Sequence, residues 1–351
     1  MTNRYGAITD VPGVLVGHTE RIGDGWLTGV TAVIPPTGTV GAVAVGGGGP
    51  GTHQTDVLAP GRFPETVDAV AFAGGSAYGL VAASGVQRWC EEQGRGLAVA
   101  PGVVVPIVPA AIVFDLGRTG VPAARPDAEM GYAAAANATD GPIPTGCVGA
   151  GTGATFGLPR LKGGVGTASI QLDGDIVVAA LVVANSYGSP LDPRTGGLLA
   201  APYIDDDRLR PGTPAAPVQT AEPPSTDRPD VANTTLVAVA TNARLDRAQA
   251  GRIAAAGHDG LARSIRPVHT MVDGDTVFAL ATGQADPVGA APTAWAGAET
   301  IGGMVAVETA AADAVTLAMV DAILSATGVD IPTGRVESYL DRYPTARPRE
   351  S

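Results

Sequence analysis

Strand-like runs that come in pairs, with helical segments between the pairs, predict a layered α+β sandwich for this 351-residue chain. Three observations carry that reading. Short apolar runs are bounded by Gly and Pro, as strands are. The helix-like stretches are rich in small residues, and the order of elements departs from strict strand–helix–strand alternation. Glycine reaches 49 residues, about twice the usual share of roughly 7%. With 45% hydrophobic and 16% charged residues, the chain can bury a large core whose layers pack closely.

In chain order, residues 13–18, 29–34 and 41–45 read as strands separated by Gly and Pro punctuation. Residues 68–72 lead through Ala73-Gly74-Gly75-Ser76 into a helix over 77–93. Its Ala77, Gly79, Ala82, Ala83 and Gly85 would lie flat against a sheet. The apolar stretch 97–114 is interrupted by Pro101, Pro106 and Pro109, so it reads as core strands and turns rather than a membrane span. Residues 149–154 form a glycine-rich turn, and 166–185 a hairpin closed by Asp173-Gly174. A Pro-rich exposed loop over 201–232 follows. Then come a strand (236–241), a helix (246–264), a hairpin turned at Asp273-Gly274 and a helix (296–322). One domain over 1–351 is expected.

The net charge of −12, with no Lys/Arg cluster, excludes nucleic acid and anionic membranes as partners. Cys90 and Cys147 alone make no disulfide framework and point to a reducing cytoplasm. The N-terminal residues Met1-Thr2-Asn3-Arg4-Tyr5 lack an apolar signal core. Gly149 opens a loose G-x-G-x-x-A match, but the acidic residue expected about 20 positions on falls at Asp173, in a hairpin turn. Gly46 to Thr52 lacks the Lys-Ser/Thr ending of a phosphate loop and reads as a tight backbone approach. In Gly74-Gly75-Ser76-Ala77-Tyr78-Gly79 the last glycine of a nucleophile elbow falls one residue late. The four histidines show no ligand spacing. No metal and no cofactor are expected.

Asn233-Thr234-Thr235 stands where the Pro-rich stretch meets the apolar strand. Two readings fit. The junction is a loop ending in a polar strand start, or it is a self-cleavage site. In the second case a break before Thr234 leaves an α-amine and a hydroxyl on one residue, a nucleophile with its own base.

Several segments, in order, resemble the DmpA-type aminopeptidases. These N-terminal-nucleophile hydrolases mature by self-cleavage and include β-peptidyl aminopeptidases and nylon-oligomer hydrolases. The segments are Ala7-Ile8-Thr9-Asp10-Val11-Pro12-Gly13-Val14, Ala73 to Leu80, Gly149 to Thr155, Leu161 to Ser169, Asn233-Thr234-Thr235, and Pro267 to Thr276. The resemblance implies a four-layer αββα sandwich, usually a homotetramer, cut into residues 1–233 and 234–351. It implies Thr234 as nucleophile and Asn185 as an oxyanion donor. Asp273 and Asp275 match paired acids near the nucleophile of the nylon-oligomer branch. The lysine of that branch falls on Leu158, with Lys162 as its substitute; the oxyanion tyrosine falls on Phe114. Where aminopeptidases hold the substrate amine with an acid, this chain has Ile112-Val113. The implied activity is hydrolysis of small peptides, amino acid amides or ω-amino acid oligomers. Acyl transfer of the ornithine acetyltransferase type, or a catalytically weak scaffold, are the alternatives.

Overall fold

The structure, a computed structural model, describes residues 5–119, 121–157, 160–205, 210–215, 233–287 and 298–348. In chain order, β1 (Leu15–Gly23) and β2 (Trp26–Ile34) form a hairpin. Next come β3 (Val40–Val45), β4 (Thr52–His53), β5 (Val70–Ala73) and α1 (Ala82–Glu92). The hairpin of β6 (Leu97–Ala100) and β7 (Val103–Val105) precedes β8 (Ala110–Ile112) and α2 (Ala128–Ala136). A short pair, β9 (Thr155–Phe156) and β10 (Leu161–Lys162), leads to β11 (Val165–Gln171) and β12 (Val177–Val183). The sequence continues with β13 (Leu236–Ala243), α3 (Arg247–Ser264), β14 (Thr276–Ala285) and α4 (Ala298–Ser325). It closes with β15 (Val329–Ile331), β16 (Gly334–Val336) and α5 (Tyr339–Arg342).

Two five-stranded sheets make the inner layers, ordered β1-β2-β5-β8-β4 and β11-β12-β13-β14-β3. Helices α1 and α2 cover the first sheet; α3 and α4 cover the second. This is the expected αββα sandwich. The period-2 alternation of the strands explains it. Along β13, Leu236, Ala238 and Ala240 face the first sheet, whereas Val237 and Val239 face the helices. In β14, Phe278 and Leu280 enter the inter-sheet core, where Phe278 meets Phe72 of the first sheet at 5.9 Å between ring centroids. Each fully buried Val, Leu or Phe side chain contributes about 1.5–3 kcal/mol relative to exposure. The helices begin where the sequence supplies caps. Asp246 accepts from the Gln249 N–H while the Gln249 side chain returns to the Asp246 N–H, a reciprocal capping box.

Three expectations need correction. The segment 77–93 begins as a tighter 3-10 turn over Ser76–Val81, and the α-helix proper starts at Ala82. Of the apolar stretch 97–114, only the part around β8 is core; Val99 and Val103 on β6 and β7 are exposed. That run is apolar on both faces, so alternation gives no sign of which side meets solvent. Asp273-Gly274 does not close a hairpin: β14 pairs parallel to β13 and antiparallel to β3. Of the Pro-rich stretch 201–232, a 3-10 turn at Ala201–Tyr203 and a buried Ile204 are described, as are residues 210–215; residues 206–209 and 216–232 lie outside the described residues.

Candidate active site

Parallel pairing of β13 and β14 sets Leu236 opposite Thr276, so the residues just before each strand also run side by side. The ladder continues outward. Thr276 donates its N–H to the Thr235 carbonyl at 3.1 Å, Gly274 to the Asn233 carbonyl at 2.9 Å, and Asn233 to the Val272 carbonyl at 3.2 Å. On the other flank β12 is antiparallel to β13, with Val183 opposite Leu236. Asn185, two residues past β12, therefore sits beside Thr234 and accepts its N–H at 2.9 Å. The fold thus gathers Asn185, Asn233, Thr234, Asp273 and Asp275 at one end of the second sheet, and all five are buried.

The Asn233–Thr234 peptide is held on both sides. Its carbonyl oxygen accepts from the Gly274 N–H and from the Thr234 hydroxyl, whose Oγ1 lies 2.5 Å away. Asn185 Oδ1 accepts from an Arg118 Nη2 and from the Thr155 N–H, each at 3.0 Å. Its amide nitrogen Nδ2 is buried and has no hydrogen-bond partner among the described residues. An amide held by its oxygen and open at its nitrogen is suited to stabilising a developing oxyanion.

The two carboxylates are tied down rather than free. Asp275 Oδ1 accepts the Thr235 N–H at 2.7 Å, and its Oδ2 accepts His269 Nδ1 at 2.8 Å and the His269 backbone N–H at 3.1 Å. Asp273 accepts from the Tyr187 and Thr270 N–H groups, each at 3.1 Å, and from the Thr270 hydroxyl at 2.5 Å. Burial raises the pKa of Asp273, and the nearby Asp275 adds to the rise; the Thr270 and Tyr187 hydrogen bonds oppose it. The glycines at 46–49 supply the other wall. Gly49 donates to the Asp273 carbonyl at 2.8 Å, and a Cβ on Gly47 would lie 2.3 Å from that oxygen, so only glycine fits the approach.

The family model for peptidase family S58 covers residues 6–337. This chain belongs to peptidase family S58. An uncharacterized aminopeptidase of Mycobacterium leprae is 47% identical, over 97% of this chain and 95% of that protein. A 6-aminohexanoate-oligomer endohydrolase of Kocuria sp. is 33% identical, over 79% of this chain and 75% of its own length. Among solved structures, a Burkholderia sp. β-aminopeptidase is 26% identical with a TM-score of 0.70, over 96% of this chain and 92% of that one. The L-aminopeptidase D-Ala-esterase/amidase of Ochrobactrum anthropi, described as a variant of the Ntn hydrolase fold, has a TM-score of 0.72 at 23% identity, over 99% and 96% of the two chains. The S58 chain is accordingly an amide hydrolase, with a fold of the kind seen in that Ntn hydrolase.

Two expected features of the S58 site fall elsewhere. Lys162 is fully buried, and its ammonium donates to the carbonyls of Gly151, Ala154 and Gly163 at 2.8–2.9 Å. Those three bonds use all three N–H donors, so Lys162 braces the 151–154 turn instead of meeting Thr234. Burial lowers its pKa. Leu158, where the family lysine was expected, lies outside the described residues. Phe114 contributes its carbonyl oxygen, which accepts an Arg118 Nη2 at 2.7 Å. Sequence reasoning assigned no role to His269, Arg118, Arg160 or the Gly274 N–H. Gly274 acts through its backbone, Arg118 and Arg160 reach Asn185 and Asn233 far along the chain, and the six-residue spacing of His269 and Asp275 is no recognised signal. Among the described residues no group of three or more His, Cys, Asp or Glu is placed to hold a metal ion.

Proposed function

We propose that the S58 chain cuts itself between Asn233 and Thr234 and then uses the freed Thr234 as an N-terminal nucleophile against small amides and peptides. The observation that carries this is the Thr234 hydroxyl resting on the carbonyl of its own preceding residue, at 2.5 Å. In the first stage Thr234 Oγ1 attacks the Asn233 carbonyl carbon, and the Gly274 N–H holds the resulting oxyanion. The C–N bond breaks, and the hydroxyl proton passes through water to the departing Thr234 nitrogen. Water then hydrolyses the ester, returning the hydroxyl and leaving a carboxylate on Asn233.

In the second stage the new α-amine, of a class that ordinarily titrates at about 7.7–8.0, takes the Oγ1 proton as general base. Oγ1 adds to the substrate carbonyl, and Asn185 Nδ2 donates to the oxyanion, a contribution of about 3 kcal/mol for one good donor. The ammonium protonates the leaving amine as the amide bond breaks. The acyl ester on Thr234 is then hydrolysed by water, which yields the acid and restores hydroxyl and amine. The Asn185 carbonyl, which accepts the Thr234 N–H in the uncut chain, orients that amine. Asp275 works one bond away, by fixing Thr235.

The assigned substrates are amino acid amides, short peptides and ω-amino acid oligomers. The assigned setting is a cytoplasmic homotetramer, supported by the two free cysteines and by exposed apolar residues such as Val99, Val103 and Val105. The test pairs Thr234→Ala with Thr235→Ala and assays maturation on a denaturing gel and turnover of an amide library. Loss of both activities in Thr234→Ala alone is expected. Loss in Thr235→Ala with retention in Thr234→Ala would overturn the assignment.

A further inference from the structure

We infer that Arg160 reads the acyl side of the substrate and selects residues whose side chain ends in a carboxylate or carboxamide one methylene from the α-carbon. The inference rests on Thr234 as the nucleophile. In the uncut chain Asn233 supplies the carbonyl that Thr234 addresses, so its side chain occupies the place of an acyl residue's side chain. Arg160 Nη1 donates to Asn233 Oδ1 at 3.2 Å and to Thr155 Oγ1 at 2.7 Å. Thr155 in turn donates its N–H to Asn185 Oδ1 at 3.0 Å. The guanidinium that reads Asn233 is therefore anchored to the residue that orients the oxyanion donor.

The chemistry favours an anion more than the amide now bound. Asn233 is only 2% exposed and Arg160 is half-buried, so their contact is partly shielded from water, and a charge-assisted hydrogen bond there is stronger than a neutral one. Arg118 places a second positive charge against Asn185. Aspartyl and asparaginyl amides are thus the preferred class, and lysyl amides the disfavoured one.

The experiment measures kcat/KM of cleaved protein on matched aspartyl, asparaginyl, alanyl, leucyl and lysyl p-nitroanilides, for wild type, Arg160→Gln and Arg160→Lys. Wild type is expected to favour aspartyl over alanyl by about tenfold or more, and Arg160→Gln to reduce that ratio by about tenfold. Arg160→Lys should retain part of the preference. A flat or leucyl-favouring wild-type profile, or an unaltered aspartyl-to-alanyl ratio in Arg160→Gln, overturns the proposal alone. No turnover of any substrate by cleaved wild type overturns the underlying nucleophile reading as well. Maturation gives a second readout should the Arg160 variants fail to fold. Asn233→Asp should self-cleave at close to the wild-type rate, and Asn233→Leu about tenfold more slowly. Equal rates for Asn233→Leu and wild type would overturn the selection.

Discussion

Gly274 donates its backbone N–H to the carbonyl oxygen of Asn233 at 2.9 Å, which places a fixed dipole on the bond proposed to break. The same residue comes so close to Thr234 that a Cβ at position 274 would stand 2.7 Å from Thr234 Oγ1. Gly274→Ala is therefore expected to push the hydroxyl off the Asn233 carbonyl and to slow self-cleavage by about a hundredfold, the scale of misplacing a reacting group by about 1 Å. A time course of band intensities on a denaturing gel checks this. Maturation at the wild-type rate would remove Gly274 from the mechanism.

Asp275 and Asp175 close matching Asp-Gly-Asp segments but lie in different surroundings. Asp275 is 1% exposed and bonded to Thr235 and His269, whereas Asp175 is exposed at a turn. Asp275→Asn should slow maturation, because an amide cannot accept from both Thr235 and His269 as the carboxylate does. In cleaved material it should also move the acidic limb of the pH–rate profile, since one carboxylate near the Thr234 amine is gone. Asp175→Asn should change stability by no more than about 0.5 kcal/mol. Equal maturation rates for the two variants would count against the role given to Asp275.

Lys162→Met tests whether that lysine is structural. Removing the ammonium leaves the carbonyls of Gly151, Ala154 and Gly163 without their shared donor, and a loss of about 3 kcal/mol in denaturant stability is expected. The folded fraction should still cut itself. A variant as stable as wild type that remains uncut would return Lys162 to the chemistry.

His18 makes stability sensitive to mild acid. Burial lowers its pKa from 6.5 to about 4, while its Nδ1 meets Thr31 Oγ1 at 2.9 Å. Between those values the unfolded chain binds a proton that the folded chain refuses. Its contribution is full above pH 6.5 and is lost as pH falls toward about 4. His18→Gln should flatten the stability–pH curve over that window by about 2–3 kcal/mol. Parallel curves for variant and wild type, from denaturant titrations between pH 7.5 and 4.5, would contradict this.

The candidate site residues entered through the family resemblance; the sequence alone marked only the junction before β13, with two readings open. Thr234 before β13, Asn185 after β12 and Asp275 before β14 all interrupt apolar runs. The relation between them was not legible, because it depends on β13 and β14 pairing in parallel. The twin Asp-Gly-Asp segments illustrate the difficulty. At 173–175 the backbone turns, with positive φ at Gly174 and Asp175. At 273–275 it runs on beside Asn233, because Gly46 and Gly47 donate to the Asp275 carbonyl and Gly49 to that of Asp273. One local pattern takes two shapes, and the partner strand decides. The layered α+β arrangement followed from the order of strands and helices and its two helix layers from the resemblance, whereas the exposure of β6 and β7 was not legible, since their apolar residues alternate with nothing polar.

Cleavage before Thr234 is tested most directly by the intact mass and N-terminal sequence of purified protein after incubation at neutral pH. Two fragments are expected, residues 1–233 and 234–351, with the smaller one reading Thr-Thr-Leu-Val from its first residue. A single uncut chain, or a smaller fragment that begins at Thr235, would contradict it.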